Sequence, residues 1–287
     1  MEKFPKISIV TVVFNDVLHI ENTILSVLSQ TYKNIEYIII DGGSTDGTVS
    51  VIKKYEDSLA YWITEPDSGI YDGMNKGIHV ATGKWILFRN CGDYFSSRSD
   101  VEKVFDRDTY EGVDIIYGKM IKWDNWGYYI ATPPLSIQKS PQKEMPVFHP
   151  STFIRTSLQK SMPFDLRYKL AADHDFFYKC TLQHKKYQYV PYVLSIFDAS
   201  EGASSNNQHL SIMEHYYIHG GSEENLYGIL VTKYACIKRR LRCLMAQFMP
   251  KVIMARRRKK QGRTLWSEDF TINDMINKAR TSTHTFF

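Results

Sequence analysis

No stretch of the 287 residues approaches the roughly 18 uninterrupted apolar residues of a membrane-spanning helix. Cysteine is scarce. Cys91, Cys180, Cys236 and Cys243 form no CxxC pair, which excludes a paired-cysteine zinc framework and reads as reduced thiols of a cytosolic protein. The opening "MEKFPKISIV" has no long apolar segment with a small-residue cleavage site, so no secretory signal is expected. Repeats and low-complexity tracts are absent. Glycine is missing from "FNDVLHIEN" after the first apolar run, which excludes a GxGxxG dinucleotide fingerprint. "GIHVATGKW" has the wrong spacing and order of elements for a P-loop. Acids are missing from one long stretch: between Glu224 and Glu268 there are 12 Lys or Arg and no Asp or Glu. The net charge of +5 therefore divides into an acidic body (24 basic against 31 acidic residues) and a strongly basic tail.

What is present is an alternation of two periods. "ISIVTVVF" (Ile7 to Phe14) is β-branched and apolar, as a buried parallel strand requires. Asn15 or Asp16 can cap the helix that follows, whose apolar face is Ile20, Ile24, Val27 and Leu28. "NIEYIIID" is a second strand, and Ser44, Thr45 or Asp46 can cap "VSVIKKY". "AYWIT" is a third strand, "IYDGMNKGIHVATG" a helix expected to end at Gly83 in a left-handed cap, and "KWILF" a fourth strand. This order predicts an α/β fold, a mostly parallel central sheet flanked by helices. Antiparallel strands are then expected at "VDIIYGKMIKW" and "WGYYIA", with a Pro-rich loop at "TPPLSIQKSPQ". Helices are expected over 171–183 and 207–219, with a short strand at "KYQYVP" between them.

Ligands of open α/β sheets sit beyond the carboxyl ends of the strands. Those ends carry Phe14-Asn15-Asp16, Asp41-Gly42-Gly43-Ser44, Glu65-Pro66-Asp67 and Asn90-Cys91-Gly92-Asp93. Any one of them reads as a cap or a turn; four together read as a ligand site.

The run "ISIVTVVFND…SVLSQTYKNIEYIIIDGGSTDGT…EPDSGIYDGMNKGIHVATGKWILFRNCGDYF" closely resembles the family 2 inverting glycosyltransferases of GT-A fold, of the bacterial surface-polysaccharide type. The resemblance extends from Ile7 to about His219. It implies a UDP-sugar donor, with Thr11, Phe14, Asn15 and Ser44 about the nucleoside. Asp41 would accept from uracil N3–H; a fixed carboxylate is a strong acceptor for that single imide donor. Asp67 and Asn75 match positions near the nucleotide and the floor of the metal loop. The family's D-x-D metal motif falls on "RNCGDYF". There Asn90 and Gly92 replace the two acids and only Asp93 remains, a reduced site for Mn2+ or Mg2+. His149 in "FHPSTFIR" aligns with a His near the donor phosphates, and "EGASSNN" (Glu201 to Asn207) with a segment that closes over the site. The family's acidic base motif matches "AADHDFF", with Asp173 as the base that takes the acceptor proton and Asp175 as the later acid.

These readings predict residues 1–224 as the transferase domain, 1–95 as its nucleotide-sugar half and 96–224 as its acceptor half. A basic amphipathic helical tail is expected over 225–287. Its Ile229, Leu230, Tyr234, Ile237, Leu241, Leu244, Met245 and Phe248 fall near helical spacing, with Lys238, Arg239, Arg240 and Arg242 among them. The expected partners are a UDP-sugar, a glycan or lipid-linked acceptor and an anionic membrane surface met by the tail, with no nucleic acid. That puts the protein in the cytoplasm at the inner face of the membrane. The alternative is a degenerate transferase fold serving as a binding or scaffold subunit, motivated by Asn90 and Gly92. His215 and His219 lie at i, i+4, but with no third ligand evident they are read as packing residues.

Overall fold

The computed structural model describes residues 4–106, 110–124, 127–135, 137, 145–198 and 207–222, with scattered positions from 228 to 265. Most of the basic tail, and the Glu201–Asn207 segment except Asn207, lie outside the described residues. β1 (Ile7–Val13) is buried at every position. Successive side chains of a strand point to opposite faces, so an all-apolar strand must be covered on both. Ile7, Ile9 and Val13 join Tyr37, Ile39, Trp85 and Leu87 in one core; Val10 and Val12 join Ile38, Ile40, Ile86 and Phe88 in the other. The first core is closed by α1 (Ile20–Leu28), α2 (Thr48–Lys53) and α4 (Asp100–Phe105). The second is closed by α3 (Ile70–Val80), α5 (Thr156–Ser161) and α6 (Ala172–Leu182).

Among the described residues the strands form one nine-stranded sheet. β2 (Ile35–Asp41), β3 (Tyr61–Thr64) and β4 (Trp85–Phe88) run parallel with β1 in the order β3-β2-β1-β4. The chain steps outward from β1 to β3 and then returns to the other side of β1, which places a topological switch point between β1 and β4. β5 (Ile115–Asp124) and β6 (Gly127–Ala131) form the expected antiparallel pair. β7 (Thr152–Arg155), a strand not anticipated from the sequence, joins β4 to β5 antiparallel to both. The short strand expected at "KYQYVP" is the start of β8 (Tyr187–Asp198), twelve residues parallel to β5. Its register shifts between the pairs Tyr117↔Tyr189 and Lys119↔Val193, where Pro191 can donate no ladder bond. Within the tail, β9 (Thr264–Leu265) pairs with β6. α7 (Gln208–Ile218) packs against α6.

Two expected caps differ. α1 starts at Ile20, after a turn in which the Asp16 carbonyl accepts from the His19 and Ile20 amides. α3 ends at Val80 with an extended Ala81, not in a left-handed Gly83. Gly83 answers a different constraint: a Cβ there would lie 2.6 Å from the Ser8 amide nitrogen at the start of β1.

That end of the sheet is fastened by Glu36, a nearly buried carboxylate. It accepts from Ser8 Oγ (2.6 Å), the Thr82 amide (2.7 Å) and Thr82 Oγ1 (2.5 Å), and pairs with Lys6 at 3.0 Å. Burial opposes its charge, but these donors outweigh burial and hold its pKa at about 2. Glu36→Ala is expected to cost about 2–4 kcal/mol, since buried donors are left unpaired. A lowered midpoint in urea at pH 7 checks this. The wild type should lose this contribution as pH falls from about 4.5 towards 2, because only the unfolded chain binds the proton in that window.

Candidate active site

The loops after β1, β2, β3 and β4 meet at one edge of the sheet. Asp41 closes β2 and is fully buried. Its Oδ2 accepts from the Gly43 amide (3.1 Å), the Ser44 amide (2.9 Å) and Thr64 Oγ1 (2.5 Å). Its Oδ1 is buried with no hydrogen-bond partner among the described residues. A buried carboxylate oxygen without a donor is costly, and therefore marks a place where a ligand can donate. Asn15, in a left-handed conformation that Asn tolerates (φ 48°), joins this loop to β1. Its amide donates to Ser44 Oγ at 2.7 Å and its Oδ1 accepts from the Thr45 amide at 2.8 Å. Phe14 stands 62% exposed beside it, a ring face open to stacking.

Thr11 lies elsewhere. It is fully enclosed, donating to the Arg89 carbonyl at 2.7 Å and lying 3.0 Å from the Tyr37 hydroxyl. Its hydroxyl holds β1 to the β4 loop and has no face open to a ligand. Asp67 accepts from the Gly69 amide at 3.0 Å. Its Oδ2 packs so closely on β2 that a Cβ at Gly42 would lie 2.7 Å away. Asn75 spends both amide groups on Phe164, donating to its carbonyl and accepting from its amide, each at 2.9 Å. It joins the two halves of the chain and shows no free group.

The β4 loop carries Asn90, Gly92 and Asp93. Asn90 Oδ1 is buried without a hydrogen-bond partner among the described residues. Asp93 is 6% exposed and lies near Arg89. Arg89 is fully buried over the Phe95 ring (4.1 Å), donating to the Tyr94 and Leu194 carbonyls. Burial pulls its pKa down to about 10 against the opposing charges of Asp93 and Asp100, so it remains a cation at neutral pH. Gly92 takes the left-handed φ of 90° that the turn needs. Among the described residues, no three His, Cys, Asp or Glu side chains are grouped to hold a metal by themselves. The loop's two oxygen donors, one charged and one orphaned, suit a hard cation that takes its other ligands from a diphosphate and water.

Asp173 lies in the first turn of α6. Its Oδ1 accepts from the Tyr71 hydroxyl at 2.8 Å and from the His174 amide at 2.9 Å. Its Oδ2 is 3.7 Å from His149 Nδ1. His149 is packed among Phe88, Phe164 and Phe177. Burial pulls its imidazole below the ordinary value, against the charge of Asp173. Asp175 points away and pairs with Lys179 at 2.6 Å. The loop into α6 is held by Glu214 of α7, whose carboxylate accepts from the Lys169 (2.7 Å) and Leu170 (2.8 Å) amides. Sequence reading missed Tyr71 and Glu214. Tyr71 could have been found from its place four residues before Asn75, on the same face of a helix; nothing marks Glu214.

His215 and His219 gain a third imidazole that the sequence did not suggest. His174 Nε2 is 3.1 Å from His219 Nε2, and its ring lies 4.4 Å from that of His215.

A parallel sheet with a switch point between β1 and β4, polar residues at its strand ends and a mixed second half is the architecture of a GT-A glycosyltransferase. The chain belongs to glycosyl transferase family 2, whose profile matches residues 8–160. It is 34% identical over 194 residues to an uncharacterized glycosyltransferase of Mycobacterium tuberculosis, covering 63% of this chain and 71% of that one. It is 28% identical over 184 residues to a PGL/p-HBAD biosynthesis glycosyltransferase of Mycobacterium bovis, covering 61% and 70%. Staphylococcus aureus TarS 1–349 in complex with UDP-GlcNAc shares the fold at 18% identity, with a TM-score of 0.62 over 74% of this chain and 64% of that one. The match spans 39% of a longer TarS chain. The mannosyltransferase PcManGT of Pyrobaculum calidifontis, in complex with GDP-Man and Mn2+, matches with a TM-score of 0.61 at 14% identity, over 98% and 87%. The chain is thus a glycosyltransferase, and the scaffold reading is set aside.

The three-imidazole cluster predicts a pH dependence. Burial first, then His215 and His219, pull His174 down to about 4 against the charge of Asp173. The unfolded chain takes up this proton near pH 6.5 and the folded chain does not. Stability should be full above about pH 6.5 and fall towards pH 4, by at most about 1.4 kcal/mol per pH unit for one such group. Thermal melts across this range should show a shallower fall in His174→Leu.

Proposed function

We propose that the protein is an inverting transferase that moves a sugar from a UDP-sugar to a glycan or lipid-linked acceptor hydroxyl. The observation that carries this is the position of Asp173. It stands on the acceptor half, yet is hydrogen-bonded to Tyr71 of α3, the helix that begins just after the donor-side loop of Asp67. In one displacement, the acceptor oxygen bonds to the anomeric carbon as its proton passes to Asp173. The bond from that carbon to the β-phosphate oxygen breaks, and UDP leaves with the electron pair. Asp41 Oδ1 accepts a hydrogen bond from the uracil imide N–H, with Phe14 against the nucleoside. Asn90 and Asp93 would hold Mn2+ or Mg2+, which when bound offsets the charge gained by the leaving diphosphate.

One relative is named for PGL/p-HBAD biosynthesis, and the tail fits a lipid-borne acceptor. Among its described residues Leu230, Tyr234, Ile237, Leu241 and Leu244 are 53–64% exposed. Their spacing of four, three, four and three places them on one helical face. With the 12 basic residues of the acid-free stretch, this suits the anionic inner face of the cell membrane.

Two experiments test these readings. Asp173→Asn should lower turnover by roughly a hundredfold or more while UDP affinity, measured by calorimetry with and without Mn2+, stays within about twofold. Turnover above a tenth of wild type would remove Asp173 from the base role. In vesicle flotation, the full chain should rise with anionic vesicles and less so in high salt, and a chain ending at Glu224 should not. Equal flotation of both would exclude the tail as the anchor.

A further inference from the structure

The two oxygens of Asp173 are held unequally. Oδ1 receives two donors, the Tyr71 hydroxyl and the His174 amide. Oδ2 lies 3.7 Å from His149 Nδ1, beyond hydrogen-bond reach, and no described residue donates to it at closer range. We infer that Tyr71 is a positioning residue for the transfer: by occupying Oδ1 it fixes the rotation of the carboxylate and leaves Oδ2 to take the acceptor proton. This rests on Asp173 being the base.

Tyr71 is built for such a role. It is nearly buried, and its ring packs on Phe164 at 5.3 Å between centroids. One turn further along α3, Asn75 makes its reciprocal pair with the Phe164 backbone, so the helix cannot slide against the acceptor half without breaking both. Burial, and then the charge of Asp173, hold the phenol well above its ordinary value, so Tyr71 keeps its proton and only donates. During transfer the acceptor proton goes to Oδ2 and the Tyr71 proton does not move. The bond joins positions 102 residues apart and makes the direction of the base depend on the helix that follows the donor loop.

The test uses the full chain and measures UDP release from UDP-glucose, UDP-galactose and UDP-GlcNAc, taking the fastest donor. Tyr71→Phe should lower kcat roughly ten- to a hundredfold, the equivalent of one hydrogen bond to a charged group. The donor KM should stay within about twofold. The acid limb of the pH profile should move to higher pH, since a carboxylate that loses a donor holds a proton more tightly. In an Asp173→Asn background the same change should cost nothing more, because Tyr71 acts through the carboxylate. If Phe lowers the melting temperature, 3-fluorotyrosine at position 71 keeps the packing and donates more strongly, and the limb should move to lower pH. An unchanged kcat and limb in Tyr71→Phe, an unmoved limb with fluorotyrosine, or a full further loss on Asp173→Asn would overturn the positioning role. Turnover retained by Asp173→Asn alone would instead overturn the base assignment, as would a wild type that releases UDP from none of the donors.

Discussion

One face of α3 holds the two halves of this transferase in register. Tyr71 and Asn75, a turn apart, reach Asp173 and the Phe164 backbone respectively. The helix itself is held to the sheet through Met74 and Ile78, in the core shared with Val10, Val12, Ile86 and Phe88. Where the acidic residue of α6 stands relative to the sheet is therefore set by side chains of α3. Glu214 completes the arrangement from the other side, fixing the backbone just ahead of α6. The carboxylate is braced from two helices that are far from it in sequence.

The site is also marked by what its polar atoms lack. Asp41 Oδ1 and Asn90 Oδ1 are buried without partners among the described residues, beyond the carboxyl ends of β2 and β4, the two strands that flank β1. Buried polar atoms are normally satisfied, and two orphaned acceptors call for a ligand that brings donors or a cation. The fully buried Arg89 beneath the loop adds a fixed positive charge beside Asp93.

Much of the first half was legible. The β-branched runs, the helical spacing between them and the polar residues at four strand ends together specify a parallel sheet with its ligand edge. Binary pattern decides which face of an element is buried. The errors were local and have local causes. Gly83 was read as a cap by its position after a helix, whereas close approach to Ser8 is what excludes a side chain there. β8 was cut short at Pro191, because a proline usually ends a strand and only pairing with β5 shows the irregularity that admits it. Thr11 was placed at the nucleoside on resemblance; its enclosure beneath the β4 loop became visible only with Tyr37 and Arg89 beside it.

By itself the sequence determined the alternation of strands and helices, the acidic body with its basic tail, and the family to which the ordered motifs belong. These depend on local periodicity and composition, which short windows carry. The tertiary structure alone decided that Tyr71 donates to Asp173, that Glu214 holds the entry to α6, and that His174, next to Asp173, joins His215 and His219. Each of these joins residues 41 to 102 positions apart. Such a contact depends on how packed elements orient their side chains, and no local pattern along the chain encodes it.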